Sequence, residues 1–319
     1  MRVVFMGTTE FAVPSLEALA TSRHELVMVI TQPWRRGGRG RSMRPSPVRD
    51  MAEGLGLPVA EPTTGAEVLR LVKEAAADVG AVAAYGRLVG PRTIAQPKHG
   101  CVVVHASLLP QFRGAAPIQR AIMAGRTETG VTIIQMTPAY DEGPVLAQKS
   151  EPIEPDDTYG SLHHRLAGIA AGMLVKTIDR LAAGRLKPRP QDDRLATMAP
   201  ILKPDDEILD FRRPAAALAD QVRALNPWPV AKTSLEGRVL KVWRAAVAAE
   251  DAPLEPGTVA GVAPAAGATP NGLMVACGDG RQRLAFLEVQ PGGGRPMPAA
   301  DFVRGQRALV GSVLGLSVT

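Results

Sequence analysis

His105 stands at the end of an apolar run, Cys101-Val102-Val103-Val104, shortly before Pro110. A short run rich in β-branched residues reads as a buried strand, and open α/β sheets bind ligands beyond the carboxyl ends of their strands. An imidazole at such a place, with an ordinary pKa near neutrality, is suited to moving a proton. A hydrogen-bonded structural histidine is the alternative on these residues alone. Asp141 is the second candidate; it opens the turn Asp141-Glu142-Gly143 between strand-like runs at 129–136 and 145–150. The plainer reading is a turn aspartate that bonds its own backbone, and spacing alone does not bring it to His105. Directly after the histidine, Ser107-Leu108-Leu109-Pro110 is apolar with one hydroxyl. It is either a loop tucked over the core or the lip of a pocket for a flat organic ligand.

The remaining polar candidates are weaker. His24 and His99 lie beside predicted turns and are expected at the surface. His163 and His164 are adjacent in a helical stretch and do not share a face, so no metal site is expected there. Cys101 and Cys277 are the only cysteines, and their spacing suits neither a metal site nor a disulfide framework. A first strand ends at Gly7, which invites a dinucleotide-binding reading. Thr9 and Ala12 stand where that fingerprint needs its second and third glycines, so the Gly7 turn is read as structural.

The elements that must position these residues follow from hydrophobic periodicity. Apolar runs at 3–6, 26–30, 79–84 and 101–104 alternate with helical spacing at 11–20, 47–55 and 66–77. Strands alternating with helices predict an α/β domain with a mostly parallel sheet covered on both faces. The clearest helix begins after Asp157 or Thr158, repeats Leu162, Leu166, Ile169, Met173, Leu174, Ile178 and Leu181, and stops at Gly184. Residues 185–206 lose this periodicity, with Pro188, Pro190, Pro200 and Pro204 among charges, and read as a linker. Beyond it, a helical piece and short strands at 239–243, 257–259, 273–276 and 284–289 predict a smaller β-barrel or sandwich. Residues 262–271, rich in Ala, Pro and Gly, read as a flexible loop. The expected division is 1–188 for the catalytic domain, 189–206 for the linker and 207–319 for the C-terminal domain.

At 319 residues the chain suits two domains, and 45% hydrophobic and 21% charged residues are ordinary for a globular protein. This composition excludes a disordered chain. No apolar run is long enough for a transmembrane helix, and the start lacks a signal-peptide pattern. A cytoplasmic setting is expected. The net charge is +6. Between residues 31 and 49 lie Arg35, Arg36, Arg39, Arg41, Arg44 and Arg49 with no acid, and this segment carries the excess. It reads either as a solvated loop or as a grip on phosphates, which arginine meets bidentately.

The run Cys101 to Pro110, continued by Arg113-Gly114-Ala115-Ala116-Pro117-Ile118-Gln119, resembles the methionyl-tRNA formyltransferase family. So do Gly7-Thr8, Phe11-Ala12, Thr31-Gln32-Pro33, Gly38-Arg39-Gly40, Pro45-Ser46-Pro47-Val48, Ala84-Tyr85-Gly86 and Thr129-Gly130-Val131-Thr132. Asn226-Pro227-Trp228-Pro229, Lys241-Val242-Trp243 and Gly278-Asp279-Gly280 extend the likeness to the C-terminal part. The resemblance implies a folate-binding Rossmann-like domain followed by an OB-like β-barrel. It implies formyl transfer from 10-formyltetrahydrofolate to the α-amine of methionyl initiator tRNA; a monomer is expected, and since the formyl donor brings its own activation no metal is required. His105 and Asp141 match two catalytic positions; Ser107, Leu108, Leu109 and Pro110 match the tetrahydrofolate-binding loop, with Tyr85 and Gly86 beside it. Arg35, Arg36, Arg39, Arg41 and Arg44 match the tRNA-contacting insertion.

Three positions depart from that pattern. Val103 stands where the family has its catalytic asparagine, and strand alternation puts it on the same face as His105. Valine donates no hydrogen bond. Trp34 replaces an aspartate, and Ile201 replaces a linker lysine, with Lys203 nearby. Two competing readings follow: another folate-dependent N-formyltransferase, acting on a purine-precursor nucleotide or an amino sugar, and a paralogue that binds tRNA or folate with impaired catalysis.

Overall fold

The structure, a computed structural model, describes residues 1–33, 35–37, 42–265, 268–305 and 309–315. In chain order the first part comprises β1 (Arg2–Gly7), α1 (Val13–Ala20), β2 (Glu25–Ile30), β3 (Arg35–Gly37), β4 (Ser42–Arg44), α2 (Pro47–Gly54), β5 (Val59–Ala60), α3 (Gly65–Glu74) and β6 (Val79–Ala83). It continues with α4 (Pro91–Ile94), β7 (Cys101–His105), α5 (Pro117–Met123), β8 (Glu128–Gln135), β9 (Val145–Pro152) and α6 (Tyr159–Ala182). The seven-stranded sheet runs β5-β2-β1-β6-β7-β8-β9. Its pairs from β5 to β7 are parallel, and β8 and β9 are added antiparallel. The strand order reverses at β1, which lies between β2 and β6, so the switch-point crevice of a doubly wound sheet opens beside it.

Local chemistry explains these elements. Val3, Val4, Phe5 and Met6 are fully buried, as a strand covered on both faces requires. A side chain at Gly7 would meet the Phe5 ring at 2.7 Å and the Ala12 methyl at 2.8 Å, so the turn is glycine for packing reasons. Ser46 caps α2 and Thr64 caps α3, each accepting a backbone N–H with its hydroxyl. Thr158 caps α6 by accepting the Ser161 N–H at 3.2 Å. Leu162, Leu166, Leu174 and Ile178 are buried along it. Gly184 then ends the helical stretch with φ +65°.

The second part holds α7 (Ala215–Ala224), β10 (Ala231–Leu235), β11 (Arg238–Ala248), β12 (Val259–Ala265), β13 (Ala268–Cys277), β14 (Gln282–Pro291), β15 (Met297–Pro298) and α8 (Ala299–Arg304). Its sheet is antiparallel, ordered β10-β11-β14-β13-β12 with β15 on β14. Among the described residues the ladder from β10 to β12 is not closed, as in the partly open barrel of OB folds. Leu218, Val222 and Leu225 share a buried cluster with Val242, Val275 and Phe286. By contacts, one compact unit comprises 1–117, 128–152 and 163–200, and the other 118–127, 153–162 and 201–319.

Two expectations are corrected, and the arginine segment gains detail. Within the stretch read as a flexible loop, 262–265 belong to β12 and 268–271 to β13, which pair antiparallel; ladder bonds come from the backbone, which Ala and Gly supply as well as any residue. His24 is buried rather than at the surface, with Nε2 3.2 Å from the Asp179 carboxylate, and burial lowers its pKa. The arginine-rich loop contains a two-stranded ribbon, β3 with β4, in the register Arg35 to Arg44. Arg39 and Arg41, and Trp34, lie outside the described residues.

No helix among the described residues is long and apolar enough to cross a membrane. Among them there is also no group of three His, Cys, Asp or Glu arranged to hold a metal.

Candidate active site

β7 carries the site. Four of its residues, Cys101, Val102, Val104 and His105, are buried, while Val103 between them is only partly so. Period-two alternation puts Cys101, Val103 and His105 on one face. The strand therefore opens one notch toward accessible space, at Val103, about 6.6 Å along the strand from His105. Below that notch, burial pushes the Cys101 thiol up to about 12, so it stays protonated and is no nucleophile.

The His105 ring has a polar neighbour beside each nitrogen. Nε2 lies 2.8 Å from the Phe112 carbonyl oxygen. That oxygen only accepts, so Nε2 carries the hydrogen. Nδ1 faces the Asp141 carboxylate at 3.5 Å, beyond a direct hydrogen bond. Sequence spacing could not show this pairing; the sheet supplies it. β8 runs antiparallel to β7, with His105 opposite Thr132, and the chain turns through Asp141 before returning as β9.

The turn is tightly made. Asp141 has φ +57°, and its Oδ2 accepts the Gly114 N–H at 3.0 Å. A side chain at Gly143 would come within 1.7 Å of the Gln135 carbonyl oxygen, so that position admits only glycine. Gln191 donates through Nε2 to the carbonyl oxygens of Asp141 and Gly143, both at 2.8 Å. Its Oε1 accepts from Arg113 Nη2 at 2.8 Å and Nε at 3.2 Å. The buried Arg113 guanidinium also meets Asp193 at 2.6 Å and Glu142 at 3.6 Å. Gln191 and Arg113 were missed as site residues in the sequence. Gln191 lies in a proline-rich stretch whose side chains follow no period, so nothing marked it.

The segment after His105 is locked to the antiparallel strands. The Thr132 hydroxyl donates to the Ser107 carbonyl at 2.6 Å and accepts the Leu109 N–H at 3.1 Å. Gln148 donates to the Leu109 carbonyl at 2.9 Å. The buried Ser107 hydroxyl donates to the Gln111 carbonyl at 2.6 Å. Leu108 and Pro110 are the partly exposed members. Tyr85 and Gly86 follow the end of β6, the neighbouring strand. The Tyr85 carbonyl accepts from Thr8 at 2.8 Å and Gln32 at 2.5 Å, which ties the ends of β1, β2 and β6 together. The Tyr85 ring is buried, and burial pushes its phenol pKa up against the opposing Arg87 charge. Gly86 has φ +71°, and a side chain there would meet Gln32 Nε2 at 2.7 Å. Arg35, Arg36 and Arg44 lie on the β3–β4 ribbon, and no described contact joins that ribbon to His105.

A buried imidazole at the end of β7 thus faces a partly buried carboxylate past the carboxyl edge of a doubly wound sheet. The family model described as formyl transferase matches residues 1–178, and that of the formyl transferase C-terminal domain matches 201–307. A methionyl-tRNA formyltransferase from Methylococcus capsulatus is 47% identical over 319 residues, covering 99% of this chain and 100% of that one. The chain belongs to the methionyl-tRNA formyltransferase family. Solved structures share the fold at lower identity. One is a methionyl-tRNA formyltransferase from Clostridium thermocellum, with TM-score 0.56 and 17% identity over 77% of this chain and 93% of that one. Another is an N-formyltransferase from Helicobacter canadensis in complex with folinic acid and dTDP-3-aminofucose, with TM-score 0.64 and 17% identity over 89% and 98%.

Proposed function

We propose that the protein transfers the formyl group of 10-formyltetrahydrofolate to the α-amine of methionyl initiator tRNA, more slowly than a site with an amide at position 103. The observation that carries the chemistry is the His105–Asp141 pair beside the one open notch of β7. The substrate amine attacks the formyl carbon, the amine loses a proton, and the bond from that carbon to N10 of the folate breaks as N10 gains a proton. With Nε2 of His105 spent on the Phe112 carbonyl, Nδ1 is the nitrogen left to exchange a proton. The Asp141 carboxylate beside it orients the amine, or a water that relays the proton. The electrophile brings its own activation, so this reading requires no metal.

Position 103 lies where a donor to the oxygen of the tetrahedral intermediate belongs, and Val103 has none to offer. Loss of one such donor costs roughly 10²–10³ in rate. The apolar edge formed by Leu108 and Pro110, with Tyr85 and Gly86 at the end of β6, is read as the folate-binding wall. A single-turnover reaction with methionyl-tRNA and 10-formyltetrahydrofolate tests the reading. Formyl-methionyl-tRNA is the expected product. Formylation of free amino sugars or nucleotides in its place would assign the acceptor elsewhere, and no product at all would leave a binding paralogue.

Arg35, Arg36, Arg39, Arg41 and Arg44 are read as the clamp on tRNA phosphates, and residues 207–319 as the domain that binds the tRNA body. Each arginine that meets a phosphate releases condensed counterions. The logarithm of tRNA affinity should fall linearly with the logarithm of salt concentration. Replacing Arg39 and Arg41 by alanine should flatten that slope by about 2. Filter binding across a salt series measures it, and an unchanged slope would remove both arginines from the contact.

A further inference from the structure

We infer that Gln191 is a positioning residue for the His105–Asp141 pair, and that residues 189–199 form part of the active site. The inference rests on the formyl-transfer reading above. Every hydrogen-bonding position of the Gln191 amide is used: two donations, to the carbonyls of Asp141 and Gly143, and two acceptances, both from Arg113. One of those carbonyls belongs to Asp141 itself, whose left-handed backbone, φ +57°, aims its carboxylate at His105, and the other to Gly143, which closes the same turn. A left-handed conformation is costly for a residue with a side chain, and it persists where its surroundings hold it. Gln191 supplies that hold, and the buried Arg113 fixes Gln191 in turn.

The same stretch of chain holds the other side of the ring. The Thr197 hydroxyl accepts the Phe112 N–H at 2.9 Å, and the Thr197 carbonyl accepts the Arg113 N–H at 2.8 Å. Phe112 is the residue whose carbonyl takes the His105 Nε2 hydrogen, and it too is left-handed, with φ +59°. The Ala199 carbonyl lies 2.4 Å from where a side chain on Gly114 would begin, and Gly114 gives its N–H to Asp141. One segment therefore sets both the acceptor that Nε2 meets and the carboxylate that Nδ1 faces. A displacement of about 1 Å in such a constellation costs on the order of 10² in rate.

Two substitutions separate donating from filling space. Gln191→Met keeps the volume and removes all four bonds; Gln191→Glu keeps acceptors for Arg113 but loses the two donations. Both should lower kcat about tenfold or more in formylation of methionyl-tRNA, with KM for tRNA and folate changed less than about twofold. In an Asp141→Asn background, Gln191→Met should have less than about a twofold further effect on the single-turnover rate, because residues acting as a unit are not additive. Denaturant midpoints confirm that each variant is folded. Unchanged kcat in the folded variants, or the same fold-loss with and without Asp141, would overturn the inference. If the wild-type chain fails to formylate methionyl-tRNA, the formyl-transfer reading falls first. If it succeeds and the Gln191 variants match it, the positioning role alone falls.

Discussion

Replacing Val103 by asparagine is expected to raise the single-turnover rate of methionyl-tRNA formylation by about 10²–10³. The backbone already provides for it. Val103 lies on the His105 face of β7 and is the least buried residue of that strand. In the proposed mechanism an amide there would offer its donor to the formyl oxygen as that oxygen gains charge. A donor helps most when it is fixed before the charge develops, and β7 is fixed by ladders with β6 on one side and β8 on the other. The substitution has a cost, because Val103 also packs against Leu109, Ile134 and Val145. A polar group brought into such surroundings loses about 1–3 kcal/mol where it lacks partners. Stability should therefore fall while rate rises, an opposition that a denaturation curve and a rate measurement on one sample reveal together. A rate that stays level would mean that a backbone N–H or the substrate itself stabilises the oxyanion.

Replacing His105 by alanine is expected to lower turnover by at least about 10², with little change in tRNA affinity. The ring exchanges protons at Nδ1 in the proposed mechanism, and alanine removes that group without touching the surfaces read as substrate contacts. It also removes the bond from Nε2 to the Phe112 carbonyl, so some stability should be lost as well. Rate and affinity distinguish the two consequences. A rate loss explained wholly by a smaller folded fraction, or near-normal turnover, would make His105 a structural histidine, the alternative its place in the sequence left open.

Much of this site was legible because it follows simple periodicity. A β-branched run that stops at a histidine before a proline announces both β7 and the end of the sheet where ligands bind. That Val103 shares a face with His105 follows from alternation alone. What could not be read was proximity. His105 and Asp141 meet because β8 leaves β7 antiparallel and returns through a turn forced by Gly143, and no local pattern encodes that path. The segment read as a linker shows the opposite failure. Its prolines and charges give no period, yet its contacts are hydrogen bonds from Gln191, Thr197 and the main chain, which need none. The β12–β13 hairpin escaped notice for a related reason: Ala, Pro and Gly give no apolar alternation, although the backbone pairs. His24 was misplaced because a histidine beside a turn carries no sign of the aspartate, Asp179, that comes to it from a distant helix.

The anchoring of residues 189–199 bears on how this chain could change length over evolutionary time or by design. Composition invites insertions and deletions throughout 185–206, where proline and charge abound. The hydrogen bonds oppose them between Gln191 and Ala199. A residue gained or lost between Gln191 and Ala199 would slide one contact out of register with the other, and the imidazole would lose one of its two supports. The part of the chain that looks most tolerant of indels thus contains a span of fixed length.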